Sequence, residues 1–384
     1  MTATRIRQDI ERLAGALPHR GANTTQERAA AEYLLERFRE YTPDVEMDDF
    51  YSPESPMFLF ASYYAEFIVV AALNYWFPWV ALVYGMGVFL AYITEFSGFP
   101  LLSRFLPQYE TQNVVARFLG TNPKRLIIVS ANYDTGKTTP LAAPGVLPWI
   151  RAGHLIVVLA MVLVVITCGL KAVSGGDTVV YSVMSLLRNG ALGVLAAAGG
   201  LLIYADFNGE YVRGAANNAA GTAALLSLAD RIHSNPIEDA DVWLVATGAK
   251  ESWMDGMRHF VTSHKFDRGT TYFLNIASAG AGKLRYTTAE GMLQLHRAAP
   301  EMIRAAESAG GQREMTAHVY RSFPTDAIVP LSRGYKTLGF MATDDSGGLA
   351  GWRTMDDTAS RVDCAQTERL ADTCEAVLRA LAQD

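Results

Sequence analysis

The chain is 384 residues long, half of them hydrophobic and 19% charged, with a formal net charge of −6 at pH 7. An acidic balance without a basic run offers nothing to track a phosphate backbone, so nucleic acid is not an expected partner. Three cysteines, Cys168, Cys364 and Cys374, are too few and wrongly spaced for a disulfide framework or a zinc knuckle.

RIRQDIERLAGAL and TTQERAAAEYLLERFREY open the chain with apolar residues at helical spacing. Thr24 or Thr25 is placed to cap the second helix, with Glu27 in its first turn. Residues 56–105 then hold two apolar stretches either side of Asn74 to Pro78. At about 1.5 Å per residue each is long enough to cross a hydrocarbon core of about 30 Å, and the aromatics at turn and ends suit a membrane interface. QNVVARFLG and KRLIIVSANYD follow as strands. Residues 146–205 hold a second pair of apolar stretches, with the Gly and Ala content that lets helices pack closely in lipid. The reading is two transmembrane α-hairpins, 56–105 and 146–205, inserted into the chain. GTAALLSLADRIHS is spaced as a helix, DVWLVATGAK and TTYFLNIAS as strands, and QTERLADTCEAVLRALAQ as a closing amphipathic helix.

An even number of crossings returns the chain to its starting side each time. Residues 1–55, 106–145 and 206–384 are therefore expected to form one globular domain of α/β class, a mainly parallel or mixed sheet flanked by helices. Arginines in the N-terminal stretch oppose its translocation, which puts that domain on the cytoplasmic side of an inner-membrane-type integral protein. Inside the hairpins Glu66 and Arg188 are intramembrane charges, each needing a partner or a route to the interface, because a charge at mid-bilayer costs about 2.5–3.5 kcal/mol on insertion scales. A Glu66–Arg188 pair is one solution; a Glu66 turned to other helices, protonated or bonded to a tyrosine hydroxyl, is another.

Polar residues gather at strand ends and helix starts: Asn132 and Asp134, Asn217 and Asn218, Lys250 and Glu251, and Asn275. In an open α/β sheet the rim formed by strand carboxyl ends is where ligands bind. The histidines are scattered without His-x-x-x-His spacing, and no Gly-x-Ser-x-Gly elbow is present.

In order and interval, SANYD (130–134), GAANNAAGTAALLSLA (214–229), ATGAKESWMDGMRHF (246–260), FLNIASAG (273–280) and WRTMDDTASRVD (352–363) resemble the co-catalytic di-zinc aminopeptidase family. That family includes bacterial leucyl aminopeptidases, glutamate carboxypeptidase, glutaminyl cyclase, transferrin receptor and nicastrin. The resemblance implies a zinc-aminopeptidase-like fold in the polar pieces. It also implies a residue-by-residue mapping of the site. Asn132 stands where the family has its first His ligand, Asn217 at the bridging Asp, Lys250 at the general-base Glu, Ala277 at the second carboxylate and Arg353 at the last His. Glu251 is the surviving ligand position and Asp134 the residue that would orient the lost His. An amide binds zinc poorly, a methyl group not at all, and a cation repels it.

The mapping implies a vestigial pocket with no catalytic residue intact, no metal and no cofactor. Lys250 and Arg353 are expected to fill the space of the two ions, balancing Asp134 and Glu251 in charge. The functional expectation is a membrane-embedded, catalytically inactive homologue serving as a binding or scaffold subunit of a membrane complex. Its helices would meet membrane lipid and either a partner membrane protein or a second copy. The alternatives are an active membrane metallo-aminopeptidase, in which zinc would be bound, and a small transporter or channel component.

Overall fold

A computed structural model describes residues 3–175, 179–310 and 315–383. Its elements in chain order are α1 (Ala3–Ile10), α2 (Thr25–Arg39), β1 (Val45–Pro53), α3 (Pro56–Leu73), α4 (Pro78–Phe96), β2 (Gln108–Phe118) and β3 (Arg125–Asn132). These are followed by α5 (Ile150–Ser174), α6 (Val179–Asn208), α7 (Ala220–Ser234), β4 (Ala240–Thr247), α8 (Asp255–Ser263), β5 (Thr271–Ile276), β6 (Lys283–Glu290) and β7 (His296–Arg297). The chain ends through α9 (Pro300–Gly310), β8 (Thr316–Tyr320), α10 (Ile328–Ser332), β9 (Lys336–Thr343) and α11 (Cys364–Gln383).

The strands form one mixed sheet in the order β1-β2-β4-β3-β5-β9-β6-β7, with β8 paired to β6. Its centre, β4, β3, β5 and β9, is parallel, and β2 and β6 join it antiparallel. Side chains alternate between faces along each strand. On β3, Ile127, Val129 and Ala131 enter the core built with α1, α2, α7, α9 and α11. Ile128, one residue out of phase, enters the opposite core with α8, α10 and the long apolar helices. The sheet was expected to carry helices on both faces; on the second face α8 and α10 pack on the strands, and the inserted helices join the same apolar cluster.

Four helical spans are long and apolar enough to cross a membrane: Pro56–Leu73, Pro78–Phe96, Leu147–Ser174 and Val179–Asn208. Residues 176–178, between the last two, lie outside the described residues. α3 starts where it does because Ser55 accepts from the Met57 amide and Pro56 occupies the first turn, where a missing N–H costs nothing. α3 packs on α6 and α4, and α5 on α4 and α6. The outward faces remain apolar, with Val83 of α4 69% and Leu186 of α6 72% exposed, a surface suited to lipid. Glu66 and Arg188 do not pair. The Tyr84 hydroxyl donates to Glu66 Oε2 (2.5 Å), while Arg188 bonds its neighbour Asn189 (3.1 Å) and lies 5.7 Å from the Tyr75 ring centroid.

A buried ionic cluster fixes the first hairpin to the α/β layer. Glu95, at the end of α4, accepts from Arg258 of α8 (3.1 Å), the Ser103 hydroxyl (2.7 Å) and the Leu101 amide (2.7 Å). Arg258 also pairs with Asp255. Beside it, Trp253 inserts between Phe60 of α3 and Phe96 of α4, with ring centroids 4.5 and 5.0 Å away. Such aromatic pairs add about 0.5–1.5 kcal/mol each beyond their buried area.

Candidate functional site

The carboxyl ends of β3 and β4 open onto one rim of the sheet, and the loops that follow are tied together there. Asn132, the last residue of β3, donates from Nδ2 to Asp134 Oδ1 (3.1 Å). The other oxygen of Asp134 accepts from the Glu251 amide (2.7 Å), so the β3 and β4 loops hold each other directly. The β4 loop makes a tight reversal through three non-glycine residues at positive φ, Ala249 (46°), Trp253 (79°) and Met254 (63°). Its entry is pinned by Glu27, which accepts from the Ala249 amide (2.9 Å), and by Asn113, which accepts from the Gly248 amide (3.2 Å).

That loop delivers Lys250 and Glu251 opposite Arg353, which itself sits at φ 54°. Glu251 Oε1 accepts from Lys250 Nζ (2.6 Å), and Oε2 accepts from Arg353 Nε (2.9 Å) and Nη2 (2.5 Å). Gly136 packs against this triad. A Cβ there would lie 2.5 Å from Glu251 Oε2 and 2.7 Å from Arg353 Nε, closer than any side-chain carbon can approach. Burial works against the Glu251 carboxylate, but Lys250 and Arg353 outweigh it and hold its pKa near 2. Asp134 goes the other way: burial, then the charge on Glu251, push it up to about 7. Two carboxyls in adjacent loops thus stand in opposite regimes.

Of the positions singled out in the sequence, Asn132, Asp134, Lys250, Glu251 and Arg353 meet here. Asn217 lies at the turn entering α7, where Asp357 accepts from the Ala216 (2.6 Å) and Asn217 (3.1 Å) amides. Asn218 bonds the Asp134 carbonyl and the Arg20 guanidinium. Ala277 belongs to a small apolar cluster with Tyr320, Met341 and Trp352. Asn275 lies within β5 rather than at its end and donates to Ser130 (3.1 Å).

Three positioning residues were missed. Arg20 is fully buried and donates to the Tyr133 (2.6 Å), Leu13 (2.5 Å), Arg213 (2.8 Å) and Gly214 (2.9 Å) carbonyls, tying three chain segments together behind the site. Glu27, read as a first-turn residue, is the buried acceptor under the β4 loop, its pKa raised to about 8 by burial and then by Asp134. Asp357 caps the turn before α7. Thr24-x-x-Glu27 spacing and the Asp-Asp-Thr run were visible signals for the last two; Arg20 had none.

The triad also forms the polar end of a cavity of about 460 Å³ whose remaining wall is mostly apolar and comes largely from α3, α4, α5 and α6.

Residues 199–378 match Peptidase family M28. No protein of curated function matches the sequence. Among solved structures, a zinc aminopeptidase from Bacillus subtilis is 13% identical with a TM-score of 0.56, over 98% of this chain and 94% of that one. A Zn-dependent exopeptidase from Parabacteroides distasonis is 12% identical with a TM-score of 0.58, over 97% and 96%. An aminopeptidase from Aneurinibacillus sp. is 13% identical, again with a TM-score of 0.58, over 98% and 93%. At such identities the likeness is one of fold.

These comparisons correct the expectation of no cofactor: family and neighbours alike point to zinc. The side chains at the site do not fit that ion. Among the described residues no group of three or more His, Cys, Asp or Glu is arranged to hold a metal, and the carboxylate of Glu251 is taken up by two cations. Residues 199–378, just under half of the chain, thus match a peptidase family, and over nearly its whole length the chain shares the fold of solved zinc aminopeptidases.

Proposed function

We propose that this protein is a membrane-embedded, non-hydrolytic relative of the zinc aminopeptidases whose rim pocket binds a ligand instead of cleaving one. The observation that carries the reading is the Lys250–Glu251–Arg353 triad. A hydrolytic site needs a carboxylate free to take a proton from water, within about 2.6–3.2 Å of it. Here both oxygens of Glu251 accept from cations. At the position the family gives to its general base stands Lys250, a donor toward Glu251 rather than an acceptor.

The four apolar helices support a membrane setting, and their exposed outer faces support contact with lipid and with a partner membrane protein or a second copy. The arginines of the N-terminal stretch support a cytoplasmic α/β domain. In this reading the protein acts as a binding or scaffold subunit, its pocket loops fixed to the helices through Trp253, Glu95 and Arg258.

The test is a peptidase assay on the full-length chain in detergent, with zinc supplied and a panel of aminoacyl-nitroanilides as substrates. No saturable turnover is expected. Turnover that disappears in Glu251→Gln would overturn the reading, because it would show Glu251 working as a catalytic carboxylate.

A further inference from the structure

We infer that the cavity between the four apolar helices and the sheet rim takes a single-chain lipid with a carboxylate head, its tail along the helices and its head at Lys250 and Arg353. This deepens the reading above and rests on it, naming the class of ligand that the pocket would bind.

Four observations carry the assignment. The cavity, about 460 Å³, falls within the usual range of small-molecule sites, roughly 300–1,000 Å³. Its helix-side wall is mostly apolar, with Phe60 from α3, Phe96 from α4, Val157 from α5 and Leu202 from α6, interrupted by His154 of α5 and the rings of Tyr64 and Tyr92. The helix segments that line it are the beginnings of α3 and α5 and the ends of α4 and α6, the halves nearest the α/β layer. That is the level at which the head of a lipid inserted alongside the helices would lie. Finally, Trp149 and Ile156 line the cavity and are also 70% and 54% exposed on the outer surface, so the cavity opens sideways toward the lipid-facing side.

Charge selects the head group. Among the described residues lining the cavity itself, Lys250, Glu251 and Arg353 carry formal charge, two positive against one negative, while Asp134, Glu290 and Asp326 lie buried within reach of the Lys250 charge. A carboxylate offsets the remaining positive charge, and Lys250 Nζ and Arg353 Nη1 hold donors beyond those given to Glu251. A neutral alcohol leaves that charge uncompensated, and a phosphomonoester overshoots it. A peptide amino terminus would bring a cation to a positive end. The same wall therefore disfavours a free peptide and favours a fatty-acid-like anion.

The experiment uses the full chain in phosphatidylcholine vesicles and palmitate carrying a diazirine near its methyl end. After irradiation the labelled peptides are mapped by mass spectrometry. One saturable label is expected in the cavity-lining parts of α3, α5 or α6. Unlabelled palmitate should compete about tenfold better than hexadecanol or palmitoyl-lysophosphatidate, the step expected from one charge-assisted contact. Ala198→Trp, which fills the cavity from α6, should abolish the saturable label. If that variant fails to fold, the head-group comparison on the unaltered chain decides alone. Equal competition by hexadecanol, preference for the phosphate head, or unsaturable labelling spread over the outer helix faces would each overturn the assignment. The peptidase assay separates the two claims: turnover defeats the non-hydrolytic reading, whereas absent saturable labelling defeats the lipid.

Discussion

Replacing Arg353 by methionine removes the two contacts on Glu251 Oε2 while keeping much of the side-chain volume. Glu251 and Arg353 are each 8% exposed, so solvent does little to screen the loss. Burial favours the neutral carboxyl, yet Lys250 and Arg353 lower its pKa from 4.5 to about 2. At neutral pH that shift corresponds to about 3 kcal/mol of folding free energy. A carboxyl depressed in the folded state contributes fully above its unfolded pKa, and the contribution is lost as pH falls through 4.5 toward 2. Breaking a buried pair outright costs about 3–5 kcal/mol, and Lys250 remains here, so about 2–3 kcal/mol is expected at pH 7. With about 2–4 °C per kcal/mol for domains of this scale, the unfolding midpoint should drop by about 4–12 °C. Tryptophan fluorescence of the detergent-solubilised chain would report it, with Glu251→Met and the double variant completing a cycle. The double variant should lose at least about 1 kcal/mol less than the sum of the singles. Additivity within about 0.5 kcal/mol would refute the reasoning, because it would mean that the two side chains do not interact.

Gly136→Ala places a Cβ against Glu251 and Arg353 and should cost about 1–3 kcal/mol, read as a lower unfolding midpoint; an unchanged midpoint would show the triad to be loosely held. Arg258→Met leaves Glu95 buried without its cation and should cost about 3–5 kcal/mol. Limited proteolysis in the 97–107 connection, timed against the unaltered chain, should then be faster. Burial, with Asp134's charge adding to it at Glu27 and Glu251's at Asp134, raises Glu27 to about 8 and Asp134 to about 7, and burial raises Glu290 to about 7. The native state therefore holds more protons than the unfolded state in this range, so stability should fall as pH rises from 6.5 through 8. A midpoint that is flat or rising over that interval would contradict the burial of these carboxyls.

The parts of the fold that announce themselves in the sequence are those with one dominant physical signal. β2 to β5 are apolar runs ending at polar turns, and the four long helices are apolar over a membrane's width. β1 was missed because Val45–Pro53 is an edge strand with three acidic residues and no clean alternation; its pairing with β2 is a tertiary fact. At the site, motif spacing made Asn132, Lys250, Glu251 and Arg353 legible as neighbours. Arg20 was not legible, because its principal partners are backbone carbonyls, which leave no mark in a sequence. The need for glycine at 136 depends on where Arg353 arrives from more than two hundred residues away. The cavity was invisible for a related reason: hydropathy measures the length of an apolar helix and says nothing about which of its ends folds over the rim of a sheet.

The backbone of the rim is held in uncommon conformations. Among the described residues five non-glycines have positive φ, and four of them, Ala249, Trp253, Met254 and Arg353, lie in the loops that form the triad. Such conformations cost about 1–3 kcal/mol each and persist where the surroundings over-determine them. Here the surroundings are Glu27 on the Ala249 amide, Asp134 on the Glu251 amide and Trp253 wedged between two apolar helices. Loops that merely connect strands have no need of this, since a relaxed path with ordinary φ would be more stable. The strain holds Lys250 and Arg353 at the polar end of an apolar cavity, at the rim where the parallel strands end. A shape maintained against its own backbone preference, with side chains that satisfy one another, fits the preorganised binding pocket proposed above.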